Sequence, residues 1–169
     1  CSLPNWGLIF IEGPDAASFL QNQLTNSVLG LTPTPSSKIA QSSSSVRLVG
    51  YCSPKGRLLA SAWVSSAPQE GSSDDRFALF ISRDIAADIA KRLSMYVLRS
   101  KVKVINVSDE WNIFGYCSMN DDANSLGFTG GLVKSKSAKT CFKIGDVSGT
   151  NGNVGTLVVG VLTPLNASS

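Results

Sequence analysis

The chain has 169 residues, 43% of them hydrophobic, which suits one domain with part of a second and argues against general disorder. Its 15 Lys and Arg against 12 Asp and Glu leave a net charge of +3, too weak by itself to argue for nucleic acid. Histidine is absent, so a His general base, a Ser-His-Asp triad, a Cys-His dyad and any His metal ligand are excluded within these residues.

In chain order, the aromatic and β-branched run from Trp6 to Glu12 predicts a buried strand. Gly13-Pro14-Asp15 then opens a helix, with Pro suited to the first turn and Asp15 to the positive end of the dipole. Ala16, Leu20, Leu24 and Val28 recur at every fourth position and predict an apolar stripe, ended by Gly30 and the Pro33/Pro35 pair. A Ser-rich loop follows over residues 36–45. Two strands, Val46 to Cys52 and Arg57 to Ser65, flank Ser53-Pro54-Lys55-Gly56, whose turn chemistry predicts a hairpin. Residues 67–75 read as a second turn, and Arg76 to Ile81 as a further strand.

Ser82 is suited to cap a helix from Arg83 to Tyr96 with Ile85, Ile89 and Leu93 on one face. Lys101 to Val107 alternates as a half-exposed strand does, and Asn112 to Cys117 forms another short strand. The order is strand, helix, three strands, helix, strand. That predicts an α+β fold: a mainly antiparallel sheet with two helices on one face. Beyond Ser118 the pattern weakens to a Gly, Ser, Asp and Lys-rich stretch with one more strand over residues 156–162. We expect a domain over residues 1–118 and an incomplete or divergent segment, loop plus strands, over 119–169.

The cysteines, Cys1, Cys52, Cys117 and Cys141, form no C-x-x-C pair and match no metal spacing, so no metal site is expected. Their even number permits two disulfides, yet a chain this rich in core needs none, and we expect reduced thiols in a cytoplasmic protein. A mature lipoprotein shares the Cys1-Ser2 opening, but the strand at Trp6 leaves almost no tether, so a fragment of a longer protein is expected instead. No apolar run reaches the roughly 18–20 residues of a membrane span.

The densest chemistry is Tyr51 to Arg57, where Cys52, Lys55 and Arg57 share one hairpin tip. The two cations there suit an anionic ligand; a solvated turn explains them equally. Arg92, Tyr96, Arg99, Lys101 and Lys103 gather around the end of the second helix, as a basic edge or simply as cations at a helix C-terminus. The Lys134, Lys136 and Lys139 run lacks interleaved aromatics, so no nucleic-acid partner is expected. Asp121-Asp122 is no calcium loop, and residues 127–131 (GFTGG) fit neither a P-loop nor a dinucleotide fingerprint. Asn106 and Asn166 sit in glycosylation-type triplets that arise readily by chance. These residues alone leave catalytic groups undefined.

Three ordered blocks resemble the folate-binding YgfZ family, relatives of the glycine-cleavage aminomethyltransferase. The first is carried by Gly13, Asp15, Phe19, Leu20, Gln21, Gln23 and Thr25; the second by Cys52, Lys55, Gly56 and Arg57; the third by Tyr96, Arg99, Ser100, Lys101 and Val102. The resemblance covers residues 6–115. It implies an aminomethyltransferase folate-binding-like fold and a tetrahydrofolate-binding protein that supports assembly or repair of iron–sulfur clusters in client enzymes. It further implies a bacterial, cytoplasmic accessory protein with folate and the clients as partners, together with the family's own C-terminal half. Lys55, Arg57, Arg99 and Lys101 would meet the anionic glutamate tail, Gln23 and Thr25 would line the pocket, and Tyr96 belongs to the same set. Two departures stand out. Ser27 occupies the place of an acid usual in the family, and the family's Lys-Gly-Cys motif is absent from these residues. An aminomethyltransferase-like enzyme is the alternative, and an envelope lipoprotein or adhesin domain without a small ligand is a third.

Overall fold

The computed structural model describes residues 3–32, 46–67, 74–118, 142–148 and 154–164. The chain divides into two compact units, one built from Pro4–Pro33 with Ser43–Asp109, the other including Glu110–Ser169.

The first unit holds β1 (Trp6–Glu12), α1 (Ala16–Gln23), β2 (Val46–Cys52), β3 (Leu58–Ser66), β4 (Arg76–Ser82), α2 (Arg83–Met95) and β5 (Lys103–Asn106). Its five strands form one sheet in the order β2-β3-β4-β1-β5, every pairing antiparallel. The fold is α+β, as the pattern predicts. Both helices pack on one face, because the α1 residues Phe19 and Leu20 and the α2 residues Ile89 and Leu93 share a core with alternate strand positions such as Ile9, Val49, Val64 and Leu79. The central strands β1 and β4 are buried on both faces, which is why they read as continuous apolar runs rather than alternating ones.

The structure shortens α1. The stripe through Leu24 and Val28 predicts a helix reaching Gly30, yet α1 ends at Gln23 and Leu24 is extended, at φ −106° and ψ 153°. Leu24 instead makes a β-bridge with Tyr51, and Val28 is still buried. Apolar spacing reported burial correctly but not conformation. Ser82 stands at the N-cap of α2 without the expected bond to the helix backbone; its hydroxyl faces the Asp84 carboxylate, and the Arg83 N–H donates to the Asn5 carbonyl at 2.8 Å. The β5 strand is shorter than its alternation suggests, beginning at Lys103.

The other unit carries β6 (Trp111–Ser118), β7 (Phe142–Ser148) and β8 (Val154–Pro164), antiparallel in the order β6-β8-β7. β8 is the strand expected over 156–162, while β7 carries no clear signal in the sequence. The expected loop at 36–45, the basic run, the acid pair, the 127–131 stretch and Asn166 lie outside the described residues.

Candidate functional site

A hollow of about 350 Å³ opens where the end of α1, the base of the β2–β3 hairpin tip and the end of α2 meet. Local bonding explains why these three segments converge. The Thr25 N–H donates to the Gly50 carbonyl at 2.9 Å, and the Gly50 N–H donates to Thr25 Oγ1 at 2.8 Å. This reciprocal pair ends α1 and fastens it across β2. Gly50 lacks a side chain for a reason: a Cβ there would stand 3.0 Å from both Thr25 Oγ1 and Leu58 Cδ1.

Further along, Gln21 Oε1 accepts from the Val28 N–H at 3.0 Å, and Arg47 donates to the Ser27 and Leu29 carbonyls at 2.6 and 2.9 Å. The chain leaving the helix is thus tied down on both sides. The hairpin tip closes through Ser53 N–H to the Arg57 carbonyl at 2.8 Å and Gly56 N–H to the Ser53 carbonyl at 2.9 Å. Gly56 takes φ +76°, a left-handed turn conformation that glycine adopts without strain. A register shift between Tyr51 and Cys52 marks a bulge, a device that re-aims side chains, here in the wall of the hollow.

From α1 and its exit come Asn22, Gln23, Leu24 and Thr25; from the hairpin, Tyr51, Cys52, Ser53 and Pro54; from α2, Arg92 and Tyr96. Tyr51 is buried, and burial raises its phenol pKa; the neighbouring Tyr96 raises it further while Arg92 opposes. Tyr96 is 42% exposed and gives the rim an aromatic face. The described lining therefore offers amides, hydroxyls, one thiol, two phenols and one guanidinium on a partly apolar wall, and no carboxylate. Such a set can hydrogen-bond and stack against a flat polar ring, and its phenols and thiol are groups that can carry a proton.

No protein-family model matches the chain. It is 24% identical over 121 residues to the iron-sulfur cluster assembly factor IBA57 homolog, mitochondrial, of Mycosarcoma maydis, covering 72% of this chain and 29% of that protein. It is 28% identical over 142 residues to the protein of the same description in Dictyostelium discoideum, covering 72% and 33%. An uncharacterized protein of Haemophilus influenzae is 31% identical over 114 residues, covering 68% and 35%. The chain thus spans about a third of the length of these curated relatives. Among solved structures, the glycine cleavage system aminomethyltransferase T from Bartonella henselae superposes with a TM-score of 0.58 at 18% identity, covering 94% of this chain and 40% of that one.

The chain is similar in sequence to the IBA57 homologues and shares the fold of the aminomethyltransferase.

The structure brings together some of the residues singled out from sequence and separates others. Gln23, Thr25 and Tyr96 line the hollow beside Cys52. Lys55 and Arg57 stand exposed on the hairpin tip, next along the chain from the lining residue Pro54 but not in the lining. Arg99 is exposed beyond α2. Lys101 belongs elsewhere: it lines a separate hollow of about 380 Å³ with Glu12, Gly13, Arg76 and Lys103. The Lys101 N–H donates to Asp15 Oδ2 at 2.7 Å, which fixes it against the start of α1 rather than its end.

Asn22, Leu24 and Tyr51 did not stand out as pocket residues. Tyr51 lies two positions from the core residue Val49 on the same strand face, and that alternation is the signal that turns it inward. Arg92 and Tyr96 are four apart at the end of α2, which places them on one side of the helix. Among the described residues no group of three or more His, Cys, Asp or Glu is placed to hold a metal ion, and no helix is long and apolar enough to cross a membrane.

Proposed function

We propose that this chain is the tetrahydrofolate-binding part of a protein that supports assembly or repair of iron–sulfur clusters in client enzymes. The observation that carries the reading is the hollow itself, with Tyr96 and Tyr51 beside Gln23, Thr25 and Arg92. At about 350 Å³ it lies near the lower end of small-molecule pockets, roughly 300–1,000 Å³, and suits the pterin with the linker and tail outside. Amide and hydroxyl groups of Gln23 and Thr25 suit the polar edge of the pterin, and the Tyr96 ring suits its face. Arg92 at the wall, with exposed Lys55, Arg57 and Arg99 beyond it, suits the anionic glutamates. Lys101, in the other hollow, is not part of this site.

Relatives described as iron–sulfur cluster assembly factors support the client side of the reading. The lack of a carboxylate among the described lining residues favours a binding role over one-carbon transfer, although the aminomethyltransferase shares the fold. Isothermal calorimetry with 5-formyltetrahydrofolate tests the reading on the whole chain. We expect saturable binding that weakens about tenfold in Tyr96→Ala and in Arg92→Ala. No heat of binding to the unaltered chain overturns it.

A further inference from the structure

The charges around the hollow are segregated. Residues 16–32, which supply α1 and its exit, carry no charged side chain. Residues 46–67 contain Arg47, Lys55 and Arg57 and no acid; residues 91–103 contain Lys91, Arg92, Arg99, Lys101 and Lys103 and no acid. The acids lie outside these stretches in sequence: Asp15 accepts the Lys101 N–H, Glu12 faces Lys103, Asp84 and Asp88 lie on the first part of α2 with Asp88 one turn before Arg92, and Asp74 and Asp75 precede β4. Some of the cations have local duties: Arg47 holds the α1 exit, and Lys103 faces Glu12 at 3.8 Å. Lys55, Arg57 and Arg99 remain on the surface.

The same two segments expose large apolar side chains. Leu98 is 84% exposed, and Met95 and Leu58 are each 60% exposed. Leu58 begins β3 just after the hairpin tip, while Met95 and Leu98 bracket Tyr96, so all three adjoin chain that lines the hollow. A folate tail uses the cations but leaves these aliphatic groups in water.

We propose that the rim formed by the β2–β3 hairpin tip and the turn after α2 docks an acidic protein segment carrying an apolar side chain. The inference rests on the reading of the chain as one that acts on other proteins, and not on folate occupancy. Apolar anchors within a ring of charge are the anatomy of a protein interface, and the one-sided charge supplies steering and register. A single-stranded nucleic acid is less suited, since it stacks on aromatics and, among the described residues, the rim exposes Tyr96 alone of that kind. A membrane surface selects an amphipathic helix with a free apolar face, whereas α2 buries Ile89 and Leu93 in the core.

Fluorescence anisotropy on the whole chain tests this with four labelled probes: a peptide of glutamates with two leucines, an all-glutamate peptide of equal length, phosphatidylglycerol–phosphatidylcholine vesicles and a DNA duplex. The mixed peptide is expected to bind about tenfold more tightly than the all-glutamate one and to weaken about tenfold between roughly 0.05 and 0.5 M NaCl. Leu98→Ser is expected to weaken it about tenfold with unchanged thermal unfolding, since this side chain is on the surface. Equal affinity for the two peptides, an indifferent Leu98→Ser variant, or tighter binding of vesicles or duplex overturns the proposal. Calorimetry with 5-formyltetrahydrofolate is run on the same samples, where Leu98→Ser is expected to match the unaltered chain. Peptide binding without folate binding removes the folate reading alone, and folate binding without peptide binding removes the docking surface alone.

Discussion

Gly13 shows how much one missing side chain decides. It takes φ +133°, and a Cβ there would stand 2.1 Å from the Lys101 carbonyl oxygen, inside any tolerable contact. The turn between β1 and α1 is pressed against the approach to β5, and the Asp15 carboxylate completes the seam by accepting the Lys101 N–H. We expect Gly13→Ala to lose on the order of 3 kcal/mol in urea denaturation, from backbone strain and overpacking together. Tyr51 gives a pH dependence whose sign follows from burial. Its phenol is raised from an ordinary value of 10.0, so the stability it contributes is complete below that value and is lost as pH climbs through the raised one. Tyr51→Phe should therefore unfold less steeply than the parent in alkaline titrations above about pH 10, read by circular dichroism.

Among the elements, the seam between the α1 exit and β2 matters most, because it builds one wall of the hollow. Thr25→Val keeps the backbone bond to Gly50 but leaves the Gly50 N–H without its side-chain acceptor. A loss of about 1–3 kcal/mol is expected, with faster hydrogen exchange at the Gly50 amide as its local signature. Deep in the same unit, Leu93 on α2 is fully buried, and Leu93→Ala should lose about 2–5 kcal/mol in the same denaturation assay. Most elements of the first unit were legible in residue type, turn chemistry and apolar spacing: β1, the hairpin, β4 and α2 fall within a residue or so of their expected bounds, and β5 begins two residues late. The end of α1 was not, because the partner that pulls Leu24 out of the helix is Tyr51, far along the chain. Local spacing cannot report a long-range bridge. Lys101 illustrates the same limit for the site: its sequence block predicted a ligand contact, while its backbone partner Asp15 places it in another hollow.

At the scale of the molecule, the antiparallel order β2-β3-β4-β1-β5 puts β4 and β1 in the middle, each hydrogen-bonded on both sides. Native-state hydrogen exchange should find the slowest amides in these two strands and faster ones at the hairpin tip and in short β5; the reverse ranking would contradict the topology. The lining of the hollow was partly readable at this scale too. Gln23, Thr25, Cys52 and Tyr96 come from three separated stretches that the fold brings around one hollow, whereas the exposed positions of Lys55, Arg57 and Arg99 follow from packing that no spacing encodes.

Of the five strands in this sheet, β1 is the first to be made. Its partners lie at Arg76–Ser82 and Lys103–Asn106, so during synthesis an apolar ribbon emerges long before either neighbour exists to cover it. The nascent chain must carry that ribbon without its strand partners until β4 and β5 follow, an interval in which premature self-association competes with correct closure. Slowing translation across the stretch between β3 and β5 should lengthen that hazard and raise the insoluble fraction, whereas slowing it beyond β5 should affect this sheet little.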